Sequence, residues 1–360
     1  MNIIDQEMEK AITQGVFPAA DLLVAKQGQI IYHKQYGNAR EGTCFDIASL
    51  TKPVCTATLV MLLNAKGLLK LSDTAYQWLA GADKPWHRKI TVANLLDHTS
   101  GLPSWQPFYR ELPLELIGTE EGKKFLINAC YQEPLINEPG KETVYSDLGY
   151  IFLGEIVEQA GQDKLDNLFV QYIAKPCQLK NTFFITKKGK NQHRFAPTED
   201  CPWRERIIKG EVDDQNAYAL GGVAGHAGLF STALDLHEFT KELVACYQGQ
   251  SRLISQEVVR NFINFESINQ QKRKLGKPES RLFLGGWDTP ATQNSAAGHH
   301  FSKQSIGHLG FTGCSIWIDL AQGFWVILLS NRVHPSATNE KIKGFRPKIH
   351  DVIITEILEK

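Results

Sequence analysis

The stretch that most limits what this chain can fold into runs from Pro53 to Lys66. It follows Phe45-Asp46-Ile47-Ala48-Ser49-Leu50-Thr51-Lys52 and ends at Gly67. Val54, Ala57, Leu59, Val60, Met61, Leu62 and Leu63 leave few charges, so a helix here is apolar on most of its faces. Such a helix must be enclosed by other elements. The chain has 360 residues, which fits one large domain or two intimately packed ones. Ser49 and Lys52 stand at the start of this buried helix. Their i, i+3 spacing puts an amine beside a hydroxyl on one helical face. A helix N-terminus offers free N–H groups and partial positive charge, which favour an alkoxide or oxyanion. Burial lowers a lysine pKa and makes the amine a possible base. Taken alone, the pair is more often an N-cap serine with a lysine snorkelling to water.

The remaining elements surround that helix. Residues 2–15 read as an amphipathic helix, and Ala20 to Lys26 with Ile30 to Tyr36 as a hairpin. Helical signals follow at Thr74 to Leu79, Thr91 to Asp97, 120–131, Ser146 to Gly161 and Leu165 to Ala174, so 66–180 is mainly helical. Residues 185–215 read as a long polar loop, and 266–281 as a charged, mobile segment. Helices are expected at Thr232 to Tyr247 and Ser255 to Ile263. Strands are expected at Leu282 to Trp287, Gly307 to Phe311, Cys314 to Leu320 and Phe324 to Asn331, before a final helix from Ile349 to Leu358. Distant strands join one sheet when the piece between them is an insertion. The expected class is α/β (α+β): an antiparallel sheet flanked by the N- and C-terminal helices, with an inserted mainly helical subdomain. The sheet domain takes 1–65 and 216–360, the helical subdomain 66–215, and the site lies between them.

The bulk numbers exclude several partners. There are 39 basic and 39 acidic side chains and no long basic run, which gives nucleic acid and anionic membranes no purchase. No apolar stretch reaches the roughly 18 residues a membrane span needs. The N-terminal residues lack a basic segment followed by an apolar one, so a cytoplasmic location is expected, or a periplasmic one if a leader was removed. Seven widely spaced cysteines, with no C-x-x-C, read as free thiols in a reducing compartment.

Three further stretches carry chemistry. Tyr145-Ser146-Asp147 places a phenol beside a hydroxyl and a carboxylate at a helix start. It suits a proton carrier if a cation lowers the phenol pKa, although a half-buried structural tyrosine is the commoner case. Gly307-His308-Leu309-Gly310-Phe311-Thr312-Gly313 puts glycines on a strand, which marks a bulge or close approach of a ligand or backbone. Leu95-Leu96-Asp97-His98-Thr99-Ser100-Gly101-Leu102 contains a histidine that reads as a structural tie for a turn before a catalytic base. A metal site using His226, His299, His300 and His308 lacks any ligand-like spacing.

In this order and spacing the motifs S-x-x-K, L-L-x-H-T-S-G-L, Y-S-D and H-x-G-x-x-G resemble the serine β-lactamase-like family. That family includes class C β-lactamases, D-alanyl-D-alanine peptidases and related esterases and amidases. The likeness covers about residues 10 to 355. The segments Val212 to Ala217 and Gly221 to Thr232 resemble a branch found beside cell-wall-recycling glycosidases. The resemblance implies Ser49 as nucleophile, Lys52 as its amine partner and Tyr145 as general base and relay. It matches His308-Leu309-Gly310 to the family's K-T-G strand and forms an oxyanion hole from the backbone N–H groups of Ser49 and Phe311. Such a hole is worth about 3–4 kcal/mol per donor. Asp147, His308 and Gly310 would then contact substrate.

Two positions depart from the family pattern. Asp147 replaces an asparagine, and a carboxylate cannot donate to a carbonyl. Near Lys52 it would hold the ammonium and shift the proton work to Tyr145. His308 replaces a lysine and is mostly neutral at pH 7. Both changes count against efficient β-lactam hydrolysis. The resulting expectation is a cofactor-free and metal-free serine hydrolase that acylates Ser49 and acts on small esters or muropeptide-like amides. The substrate would be a small molecule or a peptidoglycan fragment. The alternatives are a D-alanyl-D-alanine peptidase or weak β-lactamase, and a non-catalytic binding or sensor protein that kept the fold.

Overall fold

The computed structural model describes residues 2–79, 84–186, 193–251, 253–266 and 282–357. Apart from Glu266, the charged segment 266–281 lies outside the described residues. The main sheet has seven strands: β1 (Ala19–Lys26), β2 (Gln29–Gly37), β3 (Phe283–Leu284), β4 (Trp287–Asp288), β5 (Ser305–Leu309), β6 (Ser315–Asp319) and β7 (Phe324–Ser330). Their order is β2-β1-β7-β6-β5-β4-β3, every neighbouring pair antiparallel. The start of the chain meets its end where Ala20 faces Ser330 and Lys26 faces Phe324.

Strict alternation explains why both faces are buried. Leu22, Val24, Val326 and Leu328 pack with Ile4, Met8, Ile349 and Ile353 of the terminal helices. Leu23, Ala25, Ile327 and Leu329 point the other way, into the core that holds Val54, Leu59 and Val60. Each fully buried leucine, valine or isoleucine contributes about 1.5–3 kcal/mol relative to exposure. The antiparallel sheet flanked by terminal helices is therefore the architecture the periodicity describes.

Several boundaries move. The C-terminal helix spans Ile342–Ile357 rather than starting at Ile349, and it carries Pro347 inside. Proline removes one backbone donor near the helix start, while burial of Phe345, Arg346, Ile349 and Ile353 holds the helix to the sheet. The run Leu282 to Trp287 is a tight hairpin rather than one strand. Gly285 and Gly286 turn it with φ of +53° and +89°, a region glycine enters without steric cost. The strand expected over Gly307 to Phe311 is Ser305–Leu309, so Gly310 and Phe311 lie in the turn to β6.

A second, four-stranded sheet runs Phe183–Phe184, Leu229–Ser231, Thr43–Asp46, Arg194–Phe195. It corrects the long-loop reading of 185–215, which also contains the hairpin Asp200–Cys201 with Arg206–Ile207. Its strands are too short to show alternation. The Gly- and Ala-rich stretch after Ala217 has a packing cause. A Cβ on Gly225 would sit 2.1 Å from the Tyr150 carbonyl, inside the helix Asp147–Gly161, so only glycine lets these backbones touch.

Candidate active site

Ser49 follows directly from the strand Thr43–Asp46. Ala48–Leu50 forms one 3-10 turn, Lys52–Ala57 a π-helical turn, and Thr58–Ala65 an α-helix, in place of the single regular helix expected from Pro53. Ala48 takes φ of +49°, a conformation that costs a non-glycine residue energy and clusters at functional sites. Asp46 fixes it. One carboxylate oxygen accepts from Ala48 N at 2.8 Å and the other from Asp213 N at 2.7 Å. The Thr51 hydroxyl donates to the Ala48 carbonyl at 2.7 Å. Burial pushes the Asp46 carboxyl up to about 6, although both N–H groups pull it down. The turn leaves Ser49 half-buried between the buried Ala48 and Leu50.

Lys52 is 0% exposed, so its position is set by what neutralises it. Its Nζ donates to Ser49 Oγ at 3.0 Å and to the His226 carbonyl at 3.0 Å, and pairs with Asp147 Oδ1 at 2.6 Å. The aromatic faces of Tyr145 and Tyr150 lie 4.9 and 5.7 Å away. Burial opposes the charge, but Asp147 and Tyr145 outweigh it and the pKa lies above the ordinary lysine value. The lysine is thus an ammonium. Hydrogen bonds also link the Tyr145 hydroxyl to Lys52 and Ser49. Burial raises the phenol pKa, Lys52 lowers it and Asp147 raises it, and the net shift is upward, so Tyr145 rests as a neutral phenol.

The Leu95–Leu102 block orients that pair. His98 Nδ1 accepts from Ser146 N at 3.0 Å, and the His98 carbonyl accepts from Val144 N at 2.8 Å. The structural reading of His98 matches this arrangement. Asp97 accepts from Gly285 N at 2.9 Å, and burial pushes its carboxyl up to about 7. Ser146 caps the helix Asp147–Gly161, and its hydroxyl donates to the Pro103 carbonyl at 2.6 Å. The Tyr145 ring lies between His98, Phe283 and His308, at 4.5, 5.8 and 5.9 Å between centroids.

The end of β5 forms the facing wall. His308 is buried, and its Nδ1 donates to the Leu309 carbonyl at 3.0 Å. A Cβ on Gly310 would lie 2.6 Å from the Ile47 carbonyl, so glycine lets this turn press against the segment before Ser49. Thr312 Oγ1 donates to the Asp46 carbonyl at 2.7 Å. The Phe311 carbonyl accepts from Arg332 Nε at 2.7 Å, and Arg346 Nη2 donates to the Gly310 carbonyl at 3.0 Å. Ser49, Tyr145, Asp147, His308, Gly310 and Phe311 all line one cleft of about 540 Å³. Lys52 lies behind it.

Other groups at the site carry no role in the motifs, although Asp213, Asp214 and His226 fall in the segments Val212 to Ala217 and Gly221 to Thr232 noted for their resemblance. Asp213, Asp214, Glu199, Arg332 and Arg346 also line the cleft. His226 Nε2 donates to Asp214 at 2.9 Å. Burial raises the Asp214 pKa, but His226 and the Ala217 N–H outweigh it and leave it low. That pair anchors the loop whose carbonyl receives Lys52. Among the described residues, no group of three or more His, Cys, Asp or Glu side chains is placed to hold a metal. All seven cysteines are buried free thiols. Among the described residues no helix is long and apolar enough to cross a membrane.

The family model described as Beta-lactamase matches residues 2–346. The chain belongs to the β-lactamase family. By that membership it is a serine hydrolase. It is 31% identical to the N-acetylmuramyl-L-alanine amidase of Bacillus subtilis, over 92% of this chain and 80% of that one. An Escherichia coli protein, provisionally named a D-alanyl-D-alanine carboxypeptidase, is 29% identical over 93% of this chain and 84% of its own. Two solved structures share the fold. One is EstCE1, described as a hydrolase with promiscuous acyltransferase activity, with a TM-score of 0.75 and 21% identity over 97% of both chains. The other is simvastatin synthase from Aspergillus terreus, with a TM-score of 0.71 and 20% identity over 99% of this chain and 98% of that one.

Proposed function

We propose that the protein hydrolyses an ester or amide through an acyl-enzyme on Ser49. The observation that carries this is the buried Lys52 ammonium donating to a half-buried Ser49 Oγ at 3.0 Å while Asp147 balances its charge at 2.6 Å. Held protonated, Lys52 stabilises negative charge growing on Oγ but does not accept the proton. Tyr145 can relay it. As Oγ attacks the carbonyl carbon, its proton passes to Tyr145 Oη and the phenol's own proton passes to the leaving amine or alkoxide. The C–N or C–O bond breaks, the acyl group stays on Ser49, and the phenol is restored neutral. Water then attacks the acyl carbon and the same relay returns a proton to Oγ. The backbone N–H groups of Ser49 and Phe311 are the proposed oxyanion donors. The contacts of Gly310 and Thr312 with Ile47 and Asp46 support that placement.

Muropeptide-type amides lead the substrate list, followed by small esters. The named activity of the Bacillus subtilis relative supports the first. A second reading, D-alanyl-D-alanine carboxypeptidase, is supported by the Escherichia coli relative's name and by Arg332 and Arg346, whose guanidinium charge on the cleft wall suits a substrate carboxylate. Ser49→Ala tests the main reading. It should abolish hydrolysis of p-nitrophenyl esters, and a fluorophosphonate should label Ser49 in the wild type. Full activity in the variant with no labelling of the wild type would overturn it. A stable penicilloyl adduct seen by intact mass would favour the carboxypeptidase.

A further inference from the structure

Arg346 sits near the start of the C-terminal helix Ile342–Ile357 and is 6% exposed. Burial lowers its guanidinium pKa to about 10, so it stays charged at neutral pH. Among the described residues it pairs with no carboxylate, and its buried Nε has no hydrogen-bond partner. A buried cation without a counter-ion is costly, so stability alone does not account for its place in the fold. What Arg346 does hold is main chain. Its Nη2 donates to the Gly310 carbonyl at 3.0 Å and to the Cys314 carbonyl at 2.9 Å. The same Cys314 carbonyl accepts from Gly310 N at 2.7 Å, and the Gly310 carbonyl accepts from Gly313 N at 3.1 Å. One guanidinium therefore ties together both ends of the turn between β5 and β6.

The Gly310 carbonyl and the Phe311 N–H belong to one planar trans peptide group and point in opposite directions. An anchor on the Gly310 oxygen therefore sets the direction of the Phe311 N–H. That N–H donates to no acceptor among the described residues, so it is left open to a ligand. The next peptide group is held too, by Arg332 Nε on the Phe311 carbonyl at 2.7 Å. A cation on the carbonyl also polarises the amide, and hydrogen bonds in series strengthen one another. We propose that Arg346 is a positioning residue for the oxyanion hole, fixing and polarising the Gly310–Phe311 peptide group from behind. This role is separate from any contact with a substrate carboxylate, because it acts through the main chain. The inference rests on the acyl-enzyme reading of Ser49, since the oxyanion it serves forms in that reaction.

The test uses the full chain and p-nitrophenyl acetate, a neutral ester with no carboxylate for an arginine to anchor. Arg346→Met should lower kcat about fiftyfold, below the loss of a whole oxyanion donor because the N–H is displaced rather than removed. KM should stay within about twofold, since acylation and deacylation both pass through an oxyanion. Phenylboronic acid forms an anionic tetrahedral adduct on serine, and its inhibition constant should weaken by about the same factor as kcat. Arg346→Lys keeps the charge and a donor, and should recover kcat to within about tenfold of wild type. If the Met variant does not fold, the Lys variant still reads the same link between kcat and boronate affinity, at smaller size. Unchanged kinetics on the neutral ester, a loss carried by KM alone, or a fall in kcat with boronate affinity unmoved would overturn the role. Those outcomes with Ser49-dependent ester hydrolysis intact remove the role of Arg346 alone. Ester hydrolysis surviving in Ser49→Ala removes the acyl-enzyme reading instead.

Discussion

Asp147→Asn restores the residue type this motif usually carries, and here it should destabilise the protein. In the structure Lys52 has no access to water and its Nζ lies 2.6 Å from Asp147 Oδ1. The variant leaves a buried ammonium with the uncharged acceptors Ser49 Oγ, the His226 carbonyl and the Tyr145 hydroxyl. Removing one partner of a buried pair costs about 3–5 kcal/mol. Asp147 is 17% exposed, which puts the expected loss near the lower figure, about 3 kcal/mol. With about 2.1 cal/mol/K of unfolding entropy per residue, a 360-residue chain would then melt about 4 °C lower. The loss depends on pH. Without Asp147 only burial and weak acceptors act on Lys52, so its folded pKa falls below the unfolded value of about 10.4. The unfolded state then binds more protons, and stability of the variant rises with pH across the window between the two pKa values. In the wild type the pKa is raised, so the pair's contribution is fully present below about 10.4 and flat from pH 7 to 9.5. Urea denaturation of both proteins at pH 7 and pH 9.5 is the assay, and the gap between them should narrow at the higher pH. Equal stability at pH 7, or a gap that does not narrow, would refute the assignment of a charged, coupled pair.

Two further outcomes follow from the same geometry. Lys52→Met should lower kcat/KM for p-nitrophenyl esters by about a thousandfold or more, as expected when charge stabilisation at the nucleophile is lost. In urea titration it should cost less stability than Asp147→Asn, because Asp147 keeps some contact with water and Lys52 has none. Gly310→Ala should lower kcat/KM about a hundredfold and lower the melting temperature as well, since its Cβ meets the Ile47 backbone carbonyl at 2.6 Å and the Phe311 turn or the segment before Ser49 must shift.

The sequence showed this site unevenly, for physical reasons. Ser49, Lys52, Tyr145 and Asp147 were visible because each sits at the start of a strongly apolar helix, where a polar or charged residue stands out. The proximity of Asp147 to Lys52 was foreseeable from the motif, but the ion pair itself is a tertiary fact. The sheet was legible from the apolar runs at β1 and β7 and the glycine-containing turns beside them, where both ends of the chain read as hairpins. The second sheet was not, because Thr43–Asp46 and its neighbours are too short to show a period. Asp46 was hidden for the same reason, since its role is to hold Ala48 and Asp213, and Asp213 lies far along the chain. Glu199 and Asp214 fell in or beside a stretch that reads as loop, and loops carry no periodic signal that separates a cleft-lining carboxylate from a solvated one. The C-terminal helix runs longer than its sequence signal because Pro347 signals a break that burial overrides.

The proposed reaction passes through a covalent acyl group on Ser49. Rapid quenching of the enzyme with a p-nitrophenyl ester, followed by peptide mapping, tests it most directly. The expected result is a pre-steady-state burst of p-nitrophenol and an acyl mass increment on the peptide containing Ser49, with neither in Ser49→Ala. Steady turnover with no burst, and no acylated peptide at any quench time, would contradict it.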